Sequence, residues 1–482
     1  MGYHYEFTPL LPEGKNWFSD YIFTEPFAVY KNTNKQYVFS ANMAAKLLMS
    51  LIKPIFRYDP DNKVWFEFDG TRWVKTHRLF TVISDNLDHI KSKCQFSDDK
   101  MTAVVGLNKI HNDRLKPNVI EILQKESAMH ADLQAFDADP DLLNTPDGIY
   151  NLLTLEKRPN CADDLCKQIT NVAPEDDDDG KNCPNYIRHL EFMTNGDKLL
   201  QEYLELISGY ILTGHTFLQE FYWFYGTQNN GKSSLAGIWF FILGDYAHIA
   251  PQGQFAYNYY DPHPEQLLRL AGKRLVLIEE LKGNRWDESK LKSVMSGNPI
   301  AAREMHGKTV NFIPTSKLLF TSNHQPAIDP GDGGITRRLK LISFINQITP
   351  TMRIVDFDKT ILRVEAPFIL NRMMRYGQKV LLARKIETPN YVSLESHQYL
   401  QANDIVQQFI EDGCSTGNAY QDSTKNLYLA FSLWCGDNGY DLLSNKRFCD
   451  QLKRLGFKSY KNDIIRGYRG IQVNEIYKVK IR

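Results

Sequence analysis

Several things are scarce in this chain, and each scarcity narrows the reading. Charge of one sign is in no excess, with 57 lysines and arginines against 57 aspartates and glutamates in 482 residues. A balanced chain does not attract nucleic acid as a whole, so any such site must be a local patch. Cysteine is sparse and scattered. The seven, Cys94, Cys161, Cys166, Cys183, Cys414, Cys435 and Cys449, include no C-x-x-C pair. An odd set of this kind argues against a disulfide framework and for a reducing compartment. Cys161, Cys166 and Cys183, near His189, raise a zinc question, but their irregular spacing reads better as ordinary thiols. No apolar run approaches the roughly 18 residues of a spanning helix. Met1 to Glu6 show no basic segment leading into an apolar one. The expectation is a cytoplasmic protein with no membrane partner.

What is present suits a folded chain. Apolar residues make up 43% and aromatics 12%, and the length is enough for about two to four domains. Residues 1–45 are mixed and read as an N-terminal extension. Residues 46–173 read as an accessory domain. A helix over 43–52, stopped by Pro54, leads into it, and it holds a hairpin over 63–74 around Asp69-Gly70, helices near 79–93 and 117–130, and a second hairpin over 144–152. Asp176 to Asp179 are four consecutive aspartates, which repel and solvate, so 174–184 reads as an acidic linker. Helical spacing covers 185–213 and 365–384, with a connector containing Pro389 over 385–394. The last block, 403–482, predicts helices near 404–412, 423–437 and 444–455. A terminal hairpin of 467–473 with 476–481 would complete the outline of a winged helix.

The chemistry centres on Gly226-Thr227-Gln228-Asn229-Asn230-Gly231-Lys232-Ser233-Ser234. An aromatic run over 221–225 reads as a buried strand before it, and 235–243 reads as a helix after it. Strand, glycine loop, lysine, hydroxyl and helix form the P-loop pattern G-x-x-x-x-G-K-[ST]. Glycines turn backbone N–H groups toward phosphate oxygens, and the helix start adds its positive end. Lys232 then takes the β/γ-phosphates and Ser233 the Mg²⁺. Leu275-Val276-Leu277-Ile278 is a buried strand that ends in Glu279-Glu280, placing two carboxylates where a metal and a water need them. A second strand, over 316–322, ends at Asn323, whose amide can hydrogen-bond water or phosphate without adding charge. Arg337-Arg338 follow a glycine-rich loop. Arginine stabilises charge spread over a transferring phosphoryl group, and a pair this far along the chain suggests delivery from a neighbouring subunit. Residues 299–312 alternate on both sides of His306-Gly307-Lys308 and read as a hairpin with a basic tip, able to grip a phosphate backbone.

In this order and spacing the motifs resemble the superfamily 3 helicases, in particular the helicase half of phage, plasmid and poxvirus-type primase-helicases. Gly209 to Gly214, Asp287 to Lys292, Ser296 to Pro299 and Ala302-Arg303 resemble that family's helicase segments. Trp65 to Trp73 and Asp147 to Leu152 resemble its N-terminal accessory domain. The segments around Leu427-Tyr428 and from Phe448 to Gly456 resemble its C-terminal region. The resemblance implies an α/β protein: a P-loop, AAA+-like core over 185–390 with an α+β N-terminal accessory domain and a C-terminal winged-helix domain. It implies ATP and Mg²⁺ as cofactors, with Gly226, Asn229, Asn230, Gly231, Lys232, Ser233 and Ser234 binding nucleotide. Glu279 would hold the metal and Glu280 act as base, although Glu-Glu stands where Asp-Glu is common. Asn323 would be the sensor, and Arg337 or Arg338 the finger. The activity implied is ATP-dependent DNA unwinding in replication of a phage or mobile element, by a homo-oligomeric ring, a hexamer. Arg303, His306 and Lys308 would touch single-stranded DNA in the channel, and Lys446, Arg447, Lys453 and Arg454 duplex at the winged helix. The alternative is an origin-binding initiator or remodelling ring without processive unwinding. The family's primase domain does not fit in the first 45 residues, so primer synthesis would need a separate primase. Residues 420–482 hold twelve Lys/Arg against six Asp/Glu, a basic surplus that supports a DNA-facing end independently.

Overall fold

The computed structural model describes residues 30–31, 37–38, 41–93, 114–131, 134–176, 180–251, 254–255, 265–279, 287–303, 309–323, 333–349, 357, 361, 364–402, 404–440, 442–461 and 465–481. The fourth aspartate of the acidic run, Asp179, and its neighbours Asp177 and Asp178 lie outside them, as do Glu280, the 304–308 hairpin tip and Cys94. Among the described residues no helix is long and apolar enough to cross a membrane.

After a short pair, β1 (Tyr30–Lys31) and β2 (Tyr37–Val38), comes a small α+β unit. Its helices are α1 (Ala41–Ile52), α2 (Leu79–Lys93) and α3 (Leu115–Lys125), and its antiparallel sheet is β3 (Phe56–Asp59), β4 (Val64–Phe68) and β5 (Trp73–Thr76). The hairpin turns where expected. Asp69 Oδ1 accepts the backbone N–H of Thr71 at 2.8 Å and of Arg72 at 2.9 Å, an Asx turn that fixes the Phe68–Trp73 register. Ala44, Leu48, Phe56, Ile83, Leu87, Val119 and Leu123 form this unit's own core. The next sheet, β6 (Leu142–Thr145), β7 (Gly148–Asn151) and β8 (Lys157–Arg158), contributes Leu143, and the residue after β7, Leu152, to a different core, that of the P-loop region.

That region begins with α4 (Pro184–Met193) and α5 (Lys198–Leu212). A five-stranded sheet follows, in the order β10-β11-β14-β9-β15, all parallel: β9 (Phe221–Tyr225), β10 (Ala247–Ile249), β11 (Leu275–Glu279), β14 (Lys317–Ser322) and β15 (Leu339–Ser343). Helices α6 (Lys232–Leu243), α7 (Glu265–Leu268), α8 (Glu288–Met295) and α9 (Gly333–Thr336) lie between the strands, as does the antiparallel pair β12 (Ile300–Arg303) and β13 (Thr309–Phe312). Four of the five residues of β11 and all six of β14 are buried; β11 accordingly reads as an apolar run, whereas β14 is apolar only at Leu318-Leu319-Phe320 and buries Lys317, Thr321 and Ser322 as well. The outer edge of β15 is closed by α11 (Asn390–Ala402), whose Ser396 Oγ accepts the Leu341 N–H at 3.0 Å. The expected connector over 385–394 is thus shorter, because Pro389 precedes a helix start, as prolines often do.

Helix α10 (Ala366–Ala383) packs on α5. Their backbones cross so closely that a Cβ on Gly209 would stand 2.2 Å from the Gly377 nitrogen. The same contact buries Glu205, which accepts from Arg372 Nη2 at 2.9 Å and Nε at 3.1 Å. Burial pushes the Glu205 carboxyl up, against the pull of the guanidinium. At its C-terminus α5 presents carbonyls without intrahelical partners, and two buried cations meet them. Arg274, just before β11, donates to Leu212 O at 2.6 Å, and Lys317, at the start of β14, donates to Thr213 O. Desolvation holds the Lys317 amine well below its usual range. The roots of two central strands are pinned to one helix end.

The C-terminal unit runs α12 (Ile405–Gly413), β16 (Cys414–Ser423), α13 (Thr424–Asn438), α14 (Asn445–Arg454), β17 (Lys458–Lys461), β18 (Arg466–Val473) and α15 (Glu475–Lys480). Its sheet is antiparallel in the order β16-β18-β17. The three helices fall where their apolar spacing put them, but the terminal hairpin does not. β18 pairs with β17 and β16, and residues 475–480 are helical. Asn474 caps that helix, accepting from the Tyr477 N–H at 3.2 Å, while Ile476 and Val479 are 64% and 73% exposed. A cap, rather than the alternation, decided the end of the chain.

Two substitutions test this packing. Gly209→Ala should destabilise the chain by about 1–3 kcal/mol through overpacking. Arg372→Met should cost about 3–5 kcal/mol by stranding the Glu205 carboxylate. Both are read as shifts in urea unfolding. Adding Glu205→Gln to Arg372→Met should restore most of the loss; no restoration would contradict the buried pair.

Candidate nucleotide site

In a parallel sheet all strand C-termini share one edge. Here that edge carries the loop after β9, Glu279 at the end of β11 and Asn323 just beyond β14. Because β14 lies between β9 and β11, Thr321 is registered with Glu279 on one side and Ser322 with Tyr225 on the other. The chain leaves β9 toward β10 at one border of the sheet and later returns to β15 on β9's other side. The loop therefore occupies a topological switch point, where open α/β sheets form their ligand crevice.

The loop itself has the backbone a phosphate cradle needs. Asn229 and Gly231 are left-handed, at φ 60° and 85°, and Gly231 is the residue from which α6 starts. A Cβ on Gly226 would stand 2.3 Å from Phe344 O, and one on Gly231 2.5 Å from His189 Cε1. Glycine is required at both ends of the turn for close approach as much as for conformation. Lys232 is 6% exposed and its ammonium is surrounded by oxygens. It donates to Asn323 Oδ1 at 2.6 Å, to Gly226 O and Thr227 O at 3.1 Å each, and to Asn230 Oδ1 at 3.4 Å. Lysine and amide, 91 residues apart in sequence, are in direct contact. Ser233 and Glu279 are exposed at the same edge, and Ser234 is half-buried on the first turn of α6. The arrangement fits a polyphosphate with a divalent cation: an amide-rich helix start, one buried ammonium, and a hydroxyl and a carboxylate facing solvent.

A second wall had no sequence signal. The segment after β15 leans on the loop throughout. Phe344 O accepts from Asn230 Nδ2 at 3.2 Å, Gln347 Nε2 donates to Thr227 Oγ1 at 2.8 Å, and Ile348 N donates to Asn229 O at 2.6 Å. On the other side His189 of α4, weighed above as a zinc ligand, lies with Nε2 3.1 Å from Gly231 O. Cys183 is fully buried and Cys161 exposed, and among the described residues no group of three His, Cys, Asp or Glu could hold a metal ion.

The two arginines are not at this edge. Leu339 is registered with Phe221, the first residue of β9, so Arg337 and Arg338 stand at the opposite end of the sheet. The separation from the loop is roughly 15 Å along the strand. They also differ from each other. Arg338 is 9% exposed and is used inside the fold, donating to Gly334 O at 2.8 Å and Gln219 Oε1 at 2.9 Å. Arg337 is exposed. The β12–β13 hairpin pairs Arg303 with Thr309, and its tip, with His306 and Lys308, is outside the described residues. On α14 Lys446 is exposed and Arg447 half-buried, whereas Lys453 lies 3.6 Å from Asp450 and Arg454 bonds Asp404 and Gln451.

Three stretches of the chain match known families. Residues 45–195 match the model described as D5 N terminal like, and residues 401–479 the one described as Poxvirus D5 protein-like. The chain carries D5-type domains on both sides of its P-loop. Residues 224–338, between them, match a family of unknown function. Among curated proteins the chain is homologous to one from Acanthamoeba polyphaga mimivirus named as a helicase, with 25% identity over 341 residues, 64% of this chain and 35% of that one. It is also homologous to one from African swine fever virus named as a primase, with 24% identity over 358 residues, 63% of this chain and 36% of that one. The chain thus spans about a third of the length of these relatives. Among solved structures, the apo C-terminal region of NrS-1 aligns with a TM-score of 0.47 at 13% identity, over 89% of this chain and 99% of that one.

Titration calorimetry with ATP and Mg²⁺ tests the cradle. Lys232→Ala should weaken binding at least roughly a hundredfold. Asn230→Ala, which cuts the tie to Phe344, should weaken it by about tenfold, in line with losing one or two hydrogen bonds around a charged group. Equal affinity of Asn230→Ala and wild type would remove the second wall from the site.

Proposed function

We propose that this chain is the ATP-hydrolysing motor of a DNA helicase, working as a homo-oligomeric ring, a hexamer, in the replication of viral or other mobile-element DNA. One observation carries the reading. Lys232, Asn323 and Glu279 converge at one edge of the sheet while the exposed Arg337 stands at the other, so a complete reaction centre needs a second copy of the chain. The relatives named helicase and primase support the replication context.

In this reading the Gly226–Gly231 backbone and Lys232 hold the β- and γ-phosphates, and Ser233 and Glu279 hold Mg²⁺. Bound ATP with its metal supplies the phosphoryl group and offsets its negative charge. Glu280 polarises the attacking water. Asn323, bonded to the Lys232 ammonium, fixes its position and adds an uncharged contact at the water. Arg337 of the next subunit meets the charge spread over the transferring group, a role worth about 10³–10⁵ in rate. Arg338 keeps its structural bonds, which favours Arg337 as the finger. The tip of β12–β13, with His306, Lys308 and Arg303, grips single-stranded DNA. The C-terminal unit, in the order α12-β16-α13-α14-β17-β18, is read as a winged helix that meets duplex through Lys446 and Arg447. Lys453 and Arg454 give up part of their charge to acids.

Two assays test this. Wild type should open a forked duplex when given ATP, and Lys232→Ala should not; hydrolysis by wild type with intact forks would leave a remodelling ring instead. Arg337→Ala and Lys232→Ala proteins, each inactive alone, should regain hydrolysis when mixed. The mixed interface then pairs an intact P-loop with an intact finger. No recovery would count against shared sites.

A further inference from the structure

The outward face of the C-terminal sheet has features that a duplex-binding helix does not explain. In a three-stranded sheet, residues registered across the strands share a face, and residues two apart along a strand share it too. Gln421 is registered with Arg469, and Arg469 with Lys458; one step along, Ser423 is registered with Gly467, and Gly467 with Tyr460. Tyr468, between the two rows, is 3% exposed and faces the core, so the rows face outward. Gly470, at φ 89°, lets Ile471 return to the core while Arg469 stays outside. Gln421, Arg469 and Lys458 are all exposed.

Three details point to a ligand. Lys458 and Arg469 are directly opposite each other, a like-charge pair that costs stability unless an anion sits over it. Tyr460 lies across Gly467, where a Cβ would meet the backbone oxygen of Asp422 at 2.1 Å and the Tyr460 hydroxyl at 2.8 Å, so the bare backbone leaves room both for the strand pairing and for the ring. The Arg469 guanidinium is 5.8 Å from the centroid of that ring. Neither row holds a carboxylate. A phenol on a sheet with a guanidinium and an ammonium beside it is the chemistry that holds an unpaired base and its phosphates.

We propose that this face is a platform for single-stranded nucleic acid, with one base stacked on Tyr460 and the flanking phosphates on Arg469 and Lys458. The proposal deepens the replication reading by separating a strand-binding surface from the duplex-binding helix, and it rests on that reading only for the class of ligand. Binding without ATP tests it, so it stands or falls apart from hydrolysis and unwinding.

The measurement is fluorescence anisotropy of the full chain with a labelled oligothymidylate and with a duplex of equal length, both without nucleotide. Tyr460→Ala should weaken single-strand binding by roughly 5- to 150-fold, the range for loss of one stacked base. Duplex binding should change less than about twofold. Tyr460→Phe, which keeps the ring, should bind like wild type and shows that the domain is folded. Unchanged single-strand affinity in Tyr460→Ala, or equal losses on strand and duplex, would overturn the platform.

Discussion

A single buried ammonium organises the centre of this molecule. Lys232 draws together the oxygens of Gly226, Thr227 and Asn230 in its own loop and of Asn323 on a distant strand. A buried lysine without such partners would be expensive, so the contact fixes the loop and the end of β14 relative to each other. The rest of the core supports that relation. Arg274 and Lys317 anchor β11 and β14 at their roots to the C-terminus of α5. The 344–348 segment closes the loop from the far side.

The same strand that ends in this wall begins with the arginines. β15 has Arg337 before it and Phe344 after it, and it lies against β9 along its whole length. The wall of the loop and Arg337 thus lie at the two ends of one strand. In a ring this would link one subunit's phosphate site to its neighbour's through five residues of sheet. Arg338, bonded to Gly334 and Gln219, is held inside the fold, and Arg337 beside it is exposed.

Much of this was legible in the sequence, for local reasons. The aromatic run, the glycines, Lys232 and the apolar strand ending at Glu279 are contiguous patterns, and each specifies its own backbone. Asp69 marked a turn and Pro54 a helix end in the same way. What the sequence did not reveal depends on distant pairings. Nothing about Asn346-Gln347-Ile348 announces that it walls the loop, and His189 carried no sign that it lies beneath Gly231. The difference in burial between Arg337 and Arg338 is likewise a property of the fold and not of their own stretch of sequence. The end of the chain misled because apolar residues at 476, 479 and 481 also fit an exposed helix, and the partner of β18 is the polar strand Lys458–Lys461 that precedes it. Polar β16 was invisible for the same reason: its pairing, not its composition, makes it a strand.

In the proposed ring, two copies of the chain complete one site. The most direct measurement is the structure of the assembled protein, by electron cryomicroscopy, with forked DNA and a non-hydrolysable ATP analogue. The account requires a closed ring in which Arg337 of one subunit faces the Lys232 loop of the next. A monomer on DNA, or a ring in which Arg337 points away from every nucleotide, would contradict it.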